Sequence, residues 1–275
     1  MVSHPTEVFA SSLREGHRRL NRSWLDLGAT GCLGGLSIVI GSTTADTASG
    51  LLRSGGMAPT QAHLIGALLF PLGFFVLVQI RAELLTENFL VPVNAVLDGL
   101  ARPVKLLRLW AGSAVANVGA AIAVTWVAAI PSVFPPGAHR EFIEVAEQKM
   151  SQPLGALFAS AALAGAVITV MTLAMLRESP GGWVVVFAAG YILNAAGLQH
   201  VIVDSVDVWL GIWAGAPIAA GDWFVRNFLP CLLMNTVGGI GLATIPHYLQ
   251  VYHERGEVVQ DVREEVGAAP PRRRF

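Results

Sequence analysis

Two stretches, Arg81-Ala-Glu-Leu-Leu-Thr-Glu87 and Gly197-Leu-Gln-His-Val-Ile-Val-Asp204, decide how this chain folds. Each is a polar interruption near the middle of an otherwise apolar segment. The first lies between His63–Ile80 and Asn88–Leu97, and the second joins Trp183–Gly197 to Val201–Gly215. A helix that crosses a bilayer needs about 20 residues. Both interrupted segments reach that length only when their two pieces are counted together. Four further apolar stretches, Leu27–Thr43, Leu107–Ile130, Leu154–Leu176 and Phe228–Val251, run unbroken. The chain therefore reads as six transmembrane helices, of which the second and fifth are broken.

Composition agrees with that reading. Of the 275 residues 53% are hydrophobic and 13% charged, where a soluble domain carries roughly 25% charge. So few charges cannot cover a water-facing surface, whereas lipid-facing helices need none. The net charge of −1, with no basic stretch laced with aromatics, points away from a nucleic-acid partner. Cys32 and Cys231 both fall in apolar segments and read as small buried hydrophobes. The first 23 residues carry no apolar core ahead of a small-residue cleavage site, so no cleaved leader is expected.

Arginine and lysine positions set the expected orientation. With the N-terminus in the cytoplasm, thirteen of the 18 basic residues fall on cytoplasmic segments and four (Arg53, Arg140, Lys149 and Arg226) on external loops, while Arg81 lies within the second span. Three parts follow: a cytoplasmic segment 1–23 with an amphipathic helix over Glu7–Leu20, a six-helix channel domain 24–252, and a disordered cytoplasmic tail 253–275. The external loop Pro131–Pro153 is acidic and has room for a short surface helix.

The six helices divide into two groups of three. In each group the middle helix is broken, and the third carries a related string, Asn117-Val-Gly-Ala-Ala-Ile122 and Asn235-Thr-Val-Gly-Gly-Ile240. An odd number of helices per group gives the two halves opposite topology. Such inverted repeats bring broken helices together at mid-membrane, where the freed backbone groups line a polar cavity. Left in lipid, each orphaned N–H or C=O would cost several kcal/mol.

These residues resemble the formate/nitrite transporter family. Ala82-Glu-Leu-Leu-Thr-Glu-Asn88 is similar to the family's first-break signature, and Gly197-Leu-Gln-His200 to its fifth-helix break. Phe228-Leu-Pro230 with Met234-Asn-Thr-Val-Gly-Gly239 is similar to its sixth-helix motif. The resemblance covers about residues 20–252. It implies an aquaporin-like fold, a homopentamer, and one pore per protomer for small monovalent weak-acid anions such as formate or nitrite; with the charge bias, this makes it an integral protein of the cytoplasmic membrane with both termini inside. By position it implies His200 as the central pore histidine and Thr86 as the hydroxyl opposite it. Phe70, Phe74, Leu84 and Leu193 become apolar constrictions, Lys149 an anion-attracting lysine, and Asn235 the sixth-helix asparagine. The chain departs from the family pattern at Arg81 (glycine in the family), Leu85, Leu198, Gln199 and Gly165.

Several residues keep two readings. Thr86 reads as a donor to substrate or as an N-cap for the helix from Asn88. Lys149 reads as an anion guide or a solvated loop residue. Arg81 could pair with Glu83 or Glu87, or face the pore. His200, Asp204 and Asp207 share one helix face, but without a second histidine they read as hydrogen-bonding groups, and neither a metal nor a cofactor is expected. The histidine suits weak-acid transport because imidazole titrates near neutral pH. An anion pays heavily for desolvation in an apolar pore, and its neutral acid far less. No Gly-x-Ser-x-Gly or His-Glu-x-x-His motif points to an enzyme, and no Asn-Pro-Ala pair to a water channel. The alternatives are a non-conducting membrane sensor or scaffold of the same fold, a channel for a neutral solute, or an ion-coupled transporter of another fold.

Overall fold

A computed structural model describes residues 4–177 and 181–268, and these are almost wholly helical. Helix α1 (Pro5–Leu20) starts on a proline, carries Glu7 in its first turn and ends on His17, Arg18 and Arg19, which complements the helix dipole. It buries Val8, Phe9, Leu13 and Leu20 and is the expected N-terminal helix. The Ser23 hydroxyl caps α2 (Trp24–Ser54), accepting from the Asp26 N–H at 3.1 Å. Then come α3 (Pro59–Ala67) and α4 (Pro71–Gln79), a single apolar path bent ahead of Pro71. A turn of 3-10 helix at Leu85–Phe89 leads into α5 (Val91–Leu97), and α6 (Pro103–Ala128) follows.

The second half repeats this order. Helix α7 (Pro136–Met150) precedes α8 (Leu154–Met175), then α9 (Gly182–Ala195), a break, α10 (Val201–Ala214) and the long α11 (Ala220–Gln250). Within α11 the turns widen to π geometry at Phe224–Phe228 and Gly239–Thr244. Among the described residues five paths are long and apolar enough to cross a membrane: α2, α3 with α4, α6, α8 and α11. The sixth would be α9 with α10, since neither piece is long enough alone. Large apolar side chains point outward, such as Leu25 at 82%, Val115 at 74% and Val184 at 69% exposure. Lipid is the solvent such a surface fits.

The loop Pro131–Pro153 holds its expected helix as α7, which leaves Arg140, Glu147 and Gln148 exposed while it packs on α10 and α2 and buries Ala138, Phe142 and Ala146. Three expectations need correction. The first span does not stop at Thr43 but continues to Ser54. Its hydroxyls bond back into their own helix, Thr43 to the Val39 carbonyl at 2.6 Å and Thr44 to the Ile40 carbonyl at 2.6 Å, so the polar run does not break it. Cys32 is exposed on the outer side of α2, although Cys231 is buried. Finally, the stretch 253–275, expected to lack structure, contains helix α12 (Arg255–Glu265). It packs on α1, burying Val262. Arg14 pairs with Glu265 at 2.8 Å, and Arg255 with Asp98 at 3.3 Å. Residues 269–275 lie outside the described residues.

Candidate functional site

Both breaks are built the same way. Helix α4 ends when the Arg81 N–H bonds to the Val78 carbonyl (3.1 Å) and the Ala82 N–H to that of Leu77 (3.0 Å). Helix α9 ends with Gly197 to Asn194 (2.9 Å) and Leu198 to Leu193 (2.9 Å). Arg81 and Gly197 each adopt the left-handed conformation, with φ of 53° and 60°, which such a cap requires. Beyond the cap, an asparagine holds the open backbone. The Asn117 amide donates to the carbonyls of Gly31 and Glu83, both at 2.8 Å, and its oxygen accepts the Leu85 N–H at 2.9 Å. Asn235 donates to Ala161 (2.7 Å) and Gln199 (3.0 Å) and accepts from Val201 (2.8 Å). In both halves the clamp links the break to a long helix, α2 or α8, seven residues after that helix begins. The buried asparagines thus satisfy backbone that has no helical partner.

The glycines of α2 and α8 make the clamps possible. A side chain on Gly35 would collide with the Asn117 carbonyl, and one on Gly165 with the main chain of Asn235. Gly165, a departure from the family pattern, therefore stands where no side chain fits.

The two breaks meet at Thr86 and His200. Their Oγ1 and Nε2 atoms are 2.8 Å apart, and both residues are fully buried. His200 is also the N-cap of α10, with Nδ1 accepting the Val203 N–H at 3.3 Å. An acceptor at Nδ1 assigns the ring proton to Nε2, on the side of Thr86. The imidazole then donates to the threonine oxygen, leaving the threonine hydrogen free for a third group. The first residue of α5 has no side-chain cap, so the hydroxyl of Thr86 goes to His200 rather than to that helix.

The remaining expected site residues distribute around this pair. Phe70 and Phe74 meet edge to face with centroids 5.4 Å apart, and Gly190 of α9 lies against Phe74 and Pro71. Leu84 and Leu193 are buried in the same apolar cluster. Leu84 occupies the same place relative to the Asn117 clamp that His200 occupies relative to Asn235. Lys149 is no solvated loop residue: it is 9% exposed, and its ammonium donates to Asp204 at 2.7 Å and to the Leu198 carbonyl at 3.2 Å. Asp204 also accepts from Asn227 at 3.3 Å. Gln199 accepts from Asn227 at 3.3 Å. The carboxylate beside the lysine is therefore Asp204.

Charge pairing around the first break involves residues that sequence reading counted only for orientation. Buried Glu83 pairs with Arg22 and, at 3.4 Å, with Arg19. Arg19 also reaches Glu87 at 3.4 Å and Asn88 at 3.1 Å. Arg19 precedes α2 by the same number of residues as Lys149 precedes α8, and both fasten a preceding helix to a break. Two glutamates in an apolar segment were the signal that cations must come from elsewhere. Arg81 is not their partner. It lines a vestibule of about 910 Å³ beside α1, with Arg14, Glu15, Arg18, Arg19 and Glu87 among its neighbours. In that vestibule burial pushes the Glu15 carboxyl up, but Arg18 and Arg19 outweigh it and hold it at about 2.

Comparison with known proteins places this geometry. The sequence profile of formate/nitrite transporters matches residues 6–249. Formate-nitrite transporter 3 of Toxoplasma gondii is 27% identical over 94% of the chain, which spans about half (52%) of that protein. YfdC, an Escherichia coli inner membrane protein, is 22% identical over 70% of the chain and 63% of its own length. An uncharacterized transporter of Bacillus subtilis, YrhG, is 22% identical over 94% of the chain and 97% of its length. Two solved structures share the fold at 17% identity. An FNT family ion channel has a TM-score of 0.75 over 89% of this chain and 99% of its own. A pentameric formate channel with formate bound has 0.71 over 83% and 97%.

Proposed function

The chain belongs to the formate/nitrite transporter family, and on that premise we propose that it is a channel or proton-linked carrier for small monovalent weak-acid anions such as formate and nitrite. In this reading it is a homopentamer of integral membrane subunits. Each protomer has six spans in two inverted repeats, both termini in the cytoplasm and its own pore. A pentameric formate channel of the same fold supports the assembly, and the matching clamps of the two breaks support the repeat.

The observation that carries the reading is the contact of Thr86 with His200 in a fully buried setting. A carboxylate moved from water into an apolar passage loses solvation worth several kcal/mol or more, and the neutral acid loses far less. The anion passes Lys149, whose ammonium is shared with Asp204 and offsets that carboxylate's repulsion, and meets the free hydroxyl hydrogen of Thr86. The Nε2–H of His200 supports that hydroxyl from behind, so the two form a donor relay. A proton supplied by water reaches the anion while the hydroxyl holds it; the neutral acid departs, and Thr86 and the neutral ring of His200 keep their own protons. Phe70, Phe74, Leu84 and Leu193 are apolar gates that admit the neutral form and retard the ion. Asn235, with both amide hydrogens committed to carbonyls, positions the break rather than touching substrate.

Uptake of formate and nitrite by proteoliposomes at pH 5 and pH 7 tests the function. Saturable flux above that of empty vesicles is expected, with the larger rate at pH 5. His200→Ala should remove the difference between the two pH values, and Thr86→Val should lower flux at both. Wild-type pH dependence in both variants would rule the pair out as the proton-handling site. No flux of either anion would favour a non-conducting member of the family.

A further inference from the structure

We propose that Arg81 is an anion-collecting residue at the α1-side mouth of the permeation path and that it sets the affinity for substrate entering from that side. The proposal rests on the channel reading and adds a specificity residue to it.

Three observations carry it. Arg81 holds a left-handed backbone conformation that L side chains rarely adopt and that glycine takes freely. Its counterpart in the second half, Gly197, occupies the same cap with the same two hydrogen bonds. The cap therefore needs no side chain, and arginine persists there against its backbone preference. Such a residue points to a function for the side chain. Second, Arg81 is exposed and lines the vestibule beside α1, a few residues ahead of Thr86. Third, the other arginines on that wall are taken. Arg14 pairs with Glu265 at 2.8 Å, Arg18 with Glu15 at 2.6 Å, and Arg19 with Glu15 at 2.7 Å and Glu87 at 3.4 Å. Among the described residues the Arg81 side chain makes no ion pair or hydrogen bond. A vestibule whose fixed charges are otherwise matched thus keeps one free cation beside the first break. Guanidinium is a weakly hydrated fork that binds carboxylate- and nitrite-like anions well. The second half places glycine there and adds no such charge, so the two mouths differ.

Trp183 lines the same vestibule and reports local anion concentration without transport. The protein in lipid-free non-ionic detergent is quenched with iodide and, separately, with neutral acrylamide; Trp183→Phe isolates this tryptophan's share. At low salt Arg81→Gly should lower iodide quenching of that share about threefold, the effect of one unit charge several ångströms away in a water-filled space. Acrylamide quenching should be unchanged, 0.5 M salt should erase the difference, and Arg81→Lys should match the wild type. Equal iodide quenching in wild type and Arg81→Gly, or a parallel change with acrylamide, would overturn the proposal. In proteoliposomes the same variant should raise the KM for formate about threefold from the α1 side relative to the opposite side. A quenching difference with no formate flux in the wild type would leave the anion site standing and refute the channel reading instead.

Discussion

Replacing Asn235 by alanine removes three hydrogen bonds, but their loss is not equally felt. The Ala161 carbonyl sits inside α8 and keeps its helical donor four residues on. The Val201 N–H and the Gln199 carbonyl have no such substitute, because they lie in the break. A buried backbone group left without a partner costs about 1–3 kcal/mol, so two such groups imply roughly 2–6 kcal/mol, with about 4 as the central value. Hydrogen bonds between membrane helices average nearer ~0.6 kcal/mol, because most partners find others. Here the break offers none. Asn235→Leu, which restores volume without polarity, should be no milder than Asn235→Ala. Asn117→Ala should fall within ~1 kcal/mol of Asn235→Ala, since it orphans the equivalent groups of Leu85 and Glu83. The assay is equilibrium unfolding in mixed micelles of SDS and non-ionic detergent, followed by helical circular dichroism. A loss under 1 kcal/mol for Asn235→Ala, or recovery in Asn235→Leu, would show that the breaks do not depend on these amides.

Three more outcomes follow from the structure. Arg22→Met removes the nearer of the two cations on fully buried Glu83 and leaves Arg19 at 3.4 Å; it should cost about 3 kcal/mol in the same assay, the low end for a broken buried pair, with much of it recovered in the double variant Arg22→Met, Glu83→Gln. Gly165→Val forces a side chain into the Asn235 main chain; it should destabilise by about 1–3 kcal/mol, and Gly35→Val should do the same against Asn117. Burial pushes the Asp98 carboxyl up to about 6, although Arg255 and Arg263 oppose it. The folded state then holds a proton that the unfolded state has released, so stability should fall as pH rises from about 4 to about 6 and level off above. Asp98→Asn should flatten that stretch of a thermal-denaturation series, and an unchanged slope would assign the pH response elsewhere.

The sequence showed its two breaks clearly because polar residues in a span have few explanations. Asn117 and Asn235 were recognisable as a repeated string, and the clamps they form explain why the string repeats. Thr86 and His200 were paired by resemblance; nothing in their spacing says that residues 114 apart share a hydrogen bond. Long-range charge pairing was hidden for the same reason: Arg19 and Arg22 count toward orientation whether or not they reach Glu83. The length of α2 was masked by Thr43, Thr44 and Asp46, since hydropathy cannot tell a hydroxyl bonded to its own helix from one facing water. Helix α12 was missed because its charges dominate its composition, although Val258, Val259 and Val262 supply the apolar side that packs on α1.

The matching clamps also bear on how the two halves could have diverged. Each asparagine fixes the backbone on either side of one position, Leu84 in the first half and His200 in the second, without depending on the side chain there. Shape and chemistry are thereby separated. A duplicated scaffold could exchange leucine for histidine at one address while the other stayed inert, and neither change would disturb the hydrogen bonds that hold the turn. The molecule accordingly contains a second location, at Leu84, whose backbone is already prepared to present an ionisable ring.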